Sequence, residues 1–288
     1  MNRFSTIATG LVFSIFWASA SVAGKFGLKS VEPLVLFNIR FLCAGIILLA
    51  YSAMARHRFP IGKEWLQLTW FGALNTTLYL GIFVIALQWI TPGITTLAVA
   101  LNPLLIGIFS AAWMKRKVKA LEWISIALGL SGLIIATYPL LTVSEASLTG
   151  LILLFISMTG YSVGAVYYAS VNWQLSRLSI NAWHVLIGGL LLMPFTAFFH
   201  RVENNFDSTF WFSLLWLVFP VSILAVQLWL RLLKADALRA SLWLYLCPIF
   251  GFIYSAWLFH EPITLFTFIG TVLVMVALYI GQFKKITQ

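Results

Sequence analysis

The chain has 288 residues, of which 61% are hydrophobic and only 9% charged, with a formal net charge of +10. About a quarter of the residues of a soluble domain are charged, so this composition excludes a soluble fold and predicts a protein embedded in lipid. The basic residues stand in short clusters between apolar runs, as in loops at a membrane surface. A basic face for nucleic acid is therefore excluded.

Cysteine and histidine give no sign of a metal or redox site. Cys43 and Cys247 lie in apolar runs without a C-x-x-C pair, and the four histidines are scattered along the chain. A metal cage needs several such ligands at close spacing. We therefore expect no metal and no other cofactor.

Ten apolar runs follow one another along the chain, each of about 18–25 residues and long enough to cross roughly 30 Å of hydrocarbon as a helix. The breaks between them are either turn-like, as at Thr91-Pro92-Gly93, or charged, as at Lys115-Arg116-Lys117. The pattern predicts an all-α polytopic membrane protein with ten transmembrane helices and no soluble domain. The runs cover about residues 4–24, 33–55, 66–90, 94–114, 121–141, 148–170, 179–199, 210–233, 238–259 and 263–283.

The distribution of Lys and Arg predicts the orientation of this ten-helix chain. Of the 18 basic residues, 14 fall on the side that carries both termini, three fall on the other side, and Arg40 lies within a span. Cytoplasmic loops hold the excess of basic residues. Both termini are therefore expected in the cytoplasm.

The first run also allows a different interpretation. Ala18-Ser19-Ala20 follows a basic N-terminus and an apolar stretch, which resembles a signal peptide with its cleavage site. The first run has a counterpart in the middle of the chain, however, and a cleaved segment would have no reason to recur there. This favours a first transmembrane helix.

An internal repeat pairs the two halves of the chain. A shift of 145 residues aligns 92–137 with 237–282 without a gap and brings Pro103 onto Pro248, and a shift of 144 aligns the earlier parts. Matches among Leu, Ile and Ala alone would mean little in so apolar a chain. The paired prolines and the nearly constant offset give the repeat its weight.

The repeat predicts the architecture of the bundle. Each half, residues 1–144 and residues 145–288, holds five helices. Because five is an odd number, the second half must enter the membrane from the opposite side. Inverted repeats of this kind are typical of alternating-access carriers, with the substrate site near the midplane between the halves.

Several short motifs recur along the chain and are typical of one family of membrane proteins. They are Trp17 in the first helix, Asn38-Ile39-Arg40-Phe41 in the second, the prolines of the fourth and ninth helices, and Leu258-Phe259-His260-Glu261-Pro262 followed by Gly270. On these residues the chain resembles the EamA-type branch of the drug/metabolite transporter superfamily, over essentially its whole length. The resemblance implies a ten-helix fold, a bacterial inner-membrane location, and export or exchange of amino acids, nucleotides, vitamins or related metabolites.

The chain departs from the family pattern at two positions. Arg116 stands where the hairpin of the first half would carry its glutamate, and His184 in the second half stands where Arg40 stands in the first. A specific role for that glutamate, or for paired arginines, therefore does not carry over to this chain.

Charged residues inside a membrane are costly and are usually functional. All eight acidic residues fall in loops or at helix ends, and proton-driven carriers commonly use a buried carboxylate. We therefore favour a uniporter, an exchanger, or coupling through a group other than a carboxylate. Arg40 is either an anchor for a substrate carboxylate or phosphate or an arginine that snorkels to the membrane surface. His184 is either a proton acceptor during transport or a packed, neutral histidine.

Polar, aromatic and proline residues within the spans complete the candidate site. A cavity lined by aromatic rings and a few amides suits a flat or amphipathic metabolite, such as an aromatic amino acid or a ring-containing vitamin. The alternative for each residue is packing between helices or a place at the membrane interface. Freed carbonyls and bends at Pro103 and Pro248 make these prolines candidate hinges. The candidate substrate-binding residues are Trp17, Arg40, Asn75, Tyr79, Thr96, Asn102, Tyr161, Tyr168, His184, Gln227, Ser241 and Tyr245.

Small residues in the first and sixth helices indicate close helix packing. The first helix holds a run of Ala, Ser and Gly near residues 18–24, and the sixth holds Gly160 and Gly164 in a G-x-x-x-G pattern. Because these helices are repeat partners, we expect them to meet near the pseudo-twofold axis and to slide against one another.

The sequence therefore predicts a transporter of small metabolites, with the lipid bilayer and a small-molecule substrate as partners. The alternatives are a channel, a membrane-embedded enzyme, or a scaffold without transport activity. An intramembrane enzyme needs a nucleophile–base pair or an acidic cluster, and none is evident. The pattern leaves the oligomeric state open, and a monomer is compatible with it.

Overall fold

The computed structural model describes residues 3–86, 89–90, 98–141, 147–259 and 264–283. Within these ranges the chain forms a bundle of helices connected by short loops. In chain order the helices are α1 Arg3–Gly27, α2 Pro33–Met54, α3 Lys63–Ala86, α4 Leu101–Trp113, α5 Ala120–Leu141, α6 Leu148–Ser170, α7 Arg177–Phe199, α8 Ser208–Ala235, α9 Ala237–Leu258 and α10 Leu265–Phe283.

The lengths of these helices agree with a membrane-spanning bundle. In the described part of the chain, nine helices are long and apolar enough to cross a membrane, and α4 is a shorter apolar helix. The predicted all-α polytopic membrane fold is therefore confirmed. The start of the predicted fourth span, residues 94–97, lies outside the described residues.

Polar side chains and a proline fix where several helices begin. Ser147, Ser176 and Asp207 accept hydrogen bonds from backbone N–H groups in the first turns of α6, α7 and α8, at 3.1, 3.1 and 2.9 Å. Asp236 does the same for α9 at 3.0 Å, and Pro33 begins α2. These caps satisfy donors that have no intrahelical partner, and a proline at the first position of a helix loses no hydrogen bond.

Equivalent helices of the two halves, whose numbers differ by five, make equivalent contacts. Helix α1 packs against α8 and α9, and α6 packs against α3 and α4. Helix α2 packs along α7, and α5 packs along α10. This pattern agrees with two similar halves arranged around a common axis.

The ends of the helices form two faces. On one face, the end of α8 contacts the beginning of α1 through Arg231 and Ser5, and the end of α10 contacts the beginning of α9 through Gln282 and Arg239. We call this the termini face, because α1 begins and α10 ends there. The other face, where α2 begins and α7 ends, is the opposite face.

Wide, π-helical turns occur at equivalent positions of α3 and α8. They span Ala73–Gly81 and Leu217–Ala225, and the second follows the first by 144 residues at both ends. Such turns are rare and frequently occur at functional sites. Each has a carbonyl group that accepts a hydrogen bond from a neighbouring helix: Tyr79 from the Ser157 hydroxyl at 2.7 Å, and Ser222 from the Asn181 amide at 3.1 Å.

A second pair of irregularities lies in α4 and α9. In α9 a tight 3-10 turn at Trp243–Tyr245 precedes the segment Leu246–Phe259, of which Pro248 is the third residue. Pro103 is likewise the third residue of α4. Pro103 thus falls in the first turn of α4, where an N–H group has no intrahelical partner, whereas Pro248 lies inside α9, shortly after the 3-10 turn. The prediction that Pro103 breaks a hydrogen bond inside its helix is corrected to this position, and the role of both prolines as hinges stays a prediction.

The expectation that the small residues of α1 and α6 pack against each other is wrong. Gly160 lies against Leu78 of α3, and Gly164 lies against Leu74 and Asn75 of the same helix. Because glycine has no side chain, these two positions allow α6 to pack close to the wide turn of α3. Contact between α1 and α6 is made by aromatic rings near the centre of the bundle.

Candidate functional site

Aromatic side chains from four helices meet at the centre of the bundle. The ring of Tyr161 lies 4.7 Å from that of Tyr79, 6.5 Å from that of Trp17 and, stacked, 5.9 Å from that of Trp229, measured between centroids. Phe13 stacks on the other side of Trp229 at 5.0 Å. We call these five residues the central aromatic cluster. Its rings come from α1, α3, α6 and α8, so both halves of the chain contribute.

Buried polar atoms without partners lie in and beside this cluster. Among the described residues, the Tyr161 hydroxyl, Trp229 Nε1, Trp243 Nε1 and Asn75 Oδ1 have no hydrogen-bond partner. Tyr161 and Trp229 are each only 1% exposed. A buried polar group left unpaired costs about 1–3 kcal/mol, and in native structures it calls for a reason. These atoms are free to hydrogen-bond a bound molecule.

Arg40 reaches toward this centre from α2. Its side chain is 4% exposed, its guanidinium lies over the rings of Phe37 and Phe41 at 5.5 and 5.2 Å from their centroids, and Nε donates to the Ser222 hydroxyl of α8 at 2.8 Å. Within the described residues no carboxylate pairs with it. Its burial is at variance with snorkelling to the membrane surface.

The structure places two of the predicted candidates in a separate aromatic group. The ring of Phe71 lies 5.2 Å from that of Tyr168 and 4.4 Å from that of His184. Trp173 stacks on Tyr168 at 5.7 Å, and His184 Nδ1 donates to the Ile180 carbonyl of its own helix at 2.9 Å. Tyr168 and His184 therefore pack α3, α6 and α7 together and lie outside the central aromatic cluster.

Four further candidates use their polar atoms within the protein. The Asn102 amide donates to Met158 Sδ at 3.5 Å, and its oxygen accepts from the Ser162 hydroxyl at 3.1 Å. Asn102 therefore joins α4 to α6, and these bonds do not replace a backbone partner in its own helix. The Ser241 hydroxyl donates to a carbonyl of its own helix, and that of Tyr245 to a carbonyl of α5. Gln227 donates to the Arg177 carbonyl near the termini face.

These four residues lie outside the central aromatic cluster, and their part in substrate binding stays a prediction. Thr96 lies outside the described residues. Of the predicted set, the structure brings Trp17, Tyr79 and Tyr161 together in the cluster. Asn75 precedes Tyr79 by about one turn of α3, and Arg40 donates to Ser222 of α8.

Sequence reasoning missed Phe13, Trp229 and Ser222 and treated Cys247 only as a small core residue. Phe13 precedes Trp17 by four residues, and that spacing on one helix face was a usable signal. Cys247 is buried, and its thiol lies 4.0 Å from the Trp243 carbonyl, which also accepts a hydrogen bond from Ser14 of α1. No sequence pattern marks the missed residues of α8, because only packing between the halves brings them to the centre.

On the termini face, an ion-pair network joins the two halves. Arg116 donates to both carboxylate oxygens of Glu122 at 3.0 and 2.7 Å and to Asp236 at 2.8 Å, and Arg239 lies 3.9 Å from both acids. Burial by itself would lower the pKa of Arg116, but the two carboxylates outweigh burial and raise it. Arg116 therefore stays charged and links the α4–α5 loop to the α8–α9 loop.

On the opposite face, Glu32 joins the α1–α2 loop to the α7–α8 loop. Its carboxylate lies 2.5 Å from His200 Nδ1 and accepts from the backbone N–H groups of Arg201 and Val202 at 2.8 and 3.0 Å. Burial would raise the pKa of Glu32, but these hydrogen bonds outweigh it and hold the pKa below its ordinary value of 4.5. The Ser30 hydroxyl adds a bond to Asp207 at 2.8 Å.

A cleft of about 750 Å³ opens beside these bonds, between α2 and α7. Asn38 of α2, Thr196 of α7 and Glu203 of the following loop are among its lining residues. In the part of the chain that the structure describes, no group of three or more His, Cys, Asp or Glu side chains is arranged to hold a metal ion.

The comparison with protein families decides what kind of protein carries this site. The EamA-like transporter family matches the chain twice, over residues 4–138 and 148–281. The chain belongs to this family. The predicted resemblance is confirmed by this match over both halves of the chain.

Individual relatives agree with this membership. An Escherichia coli K12 protein, "Uncharacterized inner membrane transporter YedA", is 30% identical over 64% of this chain. The matched part covers 60% of the length of that relative. "Uncharacterized transporter YoaV" of Bacillus subtilis is 22% identical over 94% of both chains. An "Uncharacterized transporter" of Archaeoglobus fulgidus is 25% identical over 99% of both.

A solved structure, named only "Crystal structure of protein", shares the fold. It superposes with a TM-score of 0.81 over 97% of this chain and 98% of its own, at 18% sequence identity. At that identity the likeness shows the fold of the whole EamA-like chain and nothing about its substrate.

Proposed function

We propose that this EamA-like protein carries a small, flat or amphipathic metabolite across a bacterial inner membrane by alternating access, as an exporter or exchanger of amino acids or related compounds. The observation that carries the proposal is the set of unpartnered polar atoms beside the central aromatic cluster. Rings that stack and donors that lack acceptors are what a site for a ring-containing molecule requires. Both halves of the chain supply them.

Three observations support an inverted repeat of residues 1–144 and 145–288. The family matches each half separately. Equivalent helices of the two halves, such as α1 and α6, make equivalent contacts. The wide turns of α3 and α8 stand at equivalent places. Two such halves around a central site can rock against each other and open the site to one side at a time.

The basic residues support an orientation with both termini in the cytoplasm. The termini face carries most of the Lys and Arg residues of the chain, and an excess of basic residues marks the cytoplasmic side. The opposite face, with the cleft between α2 and α7, would then be the periplasmic one.

The positions of the acidic residues support exchange or uniport. Among the described residues, every carboxylate lies at one of the two faces, in a loop or in the first turn of a helix. A carboxylate at the midplane, which would bind and release a coupling proton, is not found in that part of the chain. A gradient of the substrate or of an exchanged molecule would then drive transport.

A binding screen tests the proposal. Purified protein in detergent is heated with amino acids, nucleobases, flavins and other vitamins, and its unfolding is followed by tryptophan fluorescence. A ligand of the central site raises the unfolding temperature in proportion to the logarithm of its concentration. The rise should shrink in Trp229→Phe, which keeps a stacking ring and loses the indole N–H. A monodisperse protein that no metabolite stabilises would contradict the proposal and favour a channel, an enzyme or a scaffold.

A further inference from the structure

A positive charge lies at depth in the bundle without a negative partner among the described residues. Arg40 is the eighth residue of α2, about 10 Å along the helix from its start, and is 4% exposed. A buried charge is costly unless an opposite charge compensates it. A protein that keeps an arginine there has a use for its charge.

The surroundings of Arg40 do not neutralise it. Its described neighbours are the rings of Phe37 and Phe41 and the Ser222 hydroxyl. Rings and hydroxyls stabilise a cation without cancelling its charge. The described carboxylates stand at the two faces, where those of Glu32, Glu64, Glu122, Asp207 and Asp236 already accept hydrogen bonds.

The guanidinium is also oriented for a ligand. Its bond to Ser222 uses Nε and is the hydrogen bond that the described residues give it. Two terminal nitrogens then remain for an anion, and a guanidinium binds carboxylate or phosphate through two parallel hydrogen bonds. Ser222 belongs to the wide turn of α8, the helix that also carries Trp229 of the central aromatic cluster.

The equivalent position of the second half does not repeat the arrangement. His184 stands there, bonded to its own helix and packed on Phe71. The bundle therefore offers its buried charge on one side of the centre, beside Ser222 of α8.

We propose, resting on the proposed function, that Arg40 is the counterion of the transported molecule and selects substrates that carry a carboxylate or phosphate group beside a ring. The ring stacks in the central aromatic cluster while the anionic group pairs with the terminal nitrogens of Arg40. Neutral compounds with the same ring leave the guanidinium unpaired and bind weakly.

Matched ligands test this selection. The probes are 3-phenylpropionate with 3-phenylpropionamide, nicotinate with nicotinamide, and phenyl phosphate with phenol, and binding is read from the unfolding temperature. The carboxylate and phosphate arms tell which anion is preferred. We expect at least one anion to bind about tenfold or more tighter than its neutral analogue, since a hydrogen bond to a charged group is worth that much.

Variants assign the effect to Arg40. Arg40→Gln should lose the preference for the anion, and Arg40→Lys should keep only part of it, because an ammonium group lacks the planar fork. Arg58→Gln, which removes a cation on the termini face, should bind as the wild type does. If Arg40→Gln does not fold, Ser222→Ala retains the charge but frees Nε, and should weaken anion binding by about twofold to tenfold.

The outcomes separate the two proposals. If neutral analogues bind as tightly as anions, or if Arg40→Gln or Ser222→Ala binds anions with wild-type affinity, the role of Arg40 is overturned and the ring-binding central site stands. If folded, monodisperse protein binds no probe of either charge and no compound of the wider screen, the proposed function fails and takes this inference with it.

Discussion

Tyr161 and Tyr245 show how equal burial can hide different roles. Each side chain is 1% exposed. The Tyr245 hydroxyl donates to the Ile126 carbonyl of α5 at 3.0 Å, whereas the Tyr161 hydroxyl has no partner among the described residues. The first hydroxyl therefore contributes to packing, and the second is stabilised only when something binds beside it.

The two tyrosines give a matched pair of variants. Tyr161→Phe should leave the unfolding temperature of the ligand-free protein unchanged or raise it, because no hydrogen bond is lost. The same variant should weaken binding of the metabolite about twofold to tenfold, as measured by ligand-dependent unfolding. Tyr245→Phe should do the reverse, with a loss of about 1 kcal/mol in stability and wild-type affinity. Equal effects of both variants on stability and binding would contradict the distinction.

Glu32 is the residue through which pH should act on the opposite face. Its pKa lies below 4.5 because His200 and two backbone N–H groups bond the carboxylate. A lowered pKa in the folded protein means that ionised Glu32 stabilises the fold above about pH 4.5 and that this contribution is lost as the pH falls through the folded pKa.

We therefore expect the unfolding temperature of the wild type to fall below about pH 4.5 more steeply than that of Glu32→Gln. The measurement is a series of unfolding curves across this range. Glu203→Gln, in the loop that Glu32 contacts, is the control and should follow the wild type. Parallel curves for Glu32→Gln and the wild type would show that the carboxylate does not hold the two loops together.

At the scale of elements, the helices that contain wide or tight turns pack against helices that are regular. Helices α3 and α8 hold the wide turns, α9 holds a tight turn before its proline, and these helices pack on α1 and α6. The pairs α2–α7 and α5–α10 run alongside one another. Tyr79 and Trp229 of the candidate site belong to irregular helices, which is where departures from ideal geometry are expected, whereas Phe13, Trp17 and Tyr161 belong to the regular helices α1 and α6.

The contact between α1 and α9 depends on one glycine. A Cβ atom added at Gly10 would overlap ring atoms of Trp243, whereas one added at Gly24 of the same helix would meet nothing within 4 Å. The Ser14 hydroxyl adds a bond to the Trp243 carbonyl at 2.9 Å. The backbone of α1 therefore forms the surface on which the Trp243 ring rests.

Gly10→Ala should force the Trp243 ring or the whole of α9 to move, at a cost of about 1–3 kcal/mol, and should lower ligand affinity as well. Gly24→Ala is the matched control. It should be neutral or slightly stabilising, because alanine favours helix by up to about 1 kcal/mol over glycine. The measurement is unfolding with and without ligand, and a Gly10→Ala protein as stable as Gly24→Ala would contradict the described contact.

At the scale of the whole molecule, ion pairs on the termini face link the two halves. Asp236 both caps α9 through Oδ1 and pairs with Arg116 through Oδ2. Asp236→Asn keeps the cap, since asparagine also caps helices, and removes the charge that links the α8–α9 loop to Arg116.

Opening of this face can be read at Cys247, which lies buried beside the site. In a Cys43→Ser background, Asp236→Asn should raise the rate of maleimide labelling of Cys247 from the termini face about twofold to fivefold, because such a pair is worth up to about 1 kcal/mol. Glu64→Gln breaks the Arg58 pair within the first half and should leave the rate unchanged. An unchanged rate in Asp236→Asn would show that other contacts hold the face closed.

The sequence by itself determined the class, the number of helices and the family. Long apolar runs form helices wherever they cross lipid, because the backbone has no other way to satisfy its hydrogen bonds there. The paired prolines and the constant offset of the repeat were also readable, since they depend on order along the chain. Trp17, Arg40, Asn75, Tyr79 and Tyr161 were identified as candidates on the same local grounds.

Only the tertiary structure decided which candidates share a site. Four candidates have the same residue types and the same kind of apolar sequence around them as the residues of the centre: Asn102, Tyr168, His184 and Tyr245. Their polar atoms or rings instead make packing contacts and hydrogen bonds within the protein. Trp229 joined the site because α8 packs on α1. A side chain in an apolar helix faces a neighbour, the lipid or the centre according to how the helices pack and rotate, and that depends on contacts between distant parts of the chain that no local pattern records.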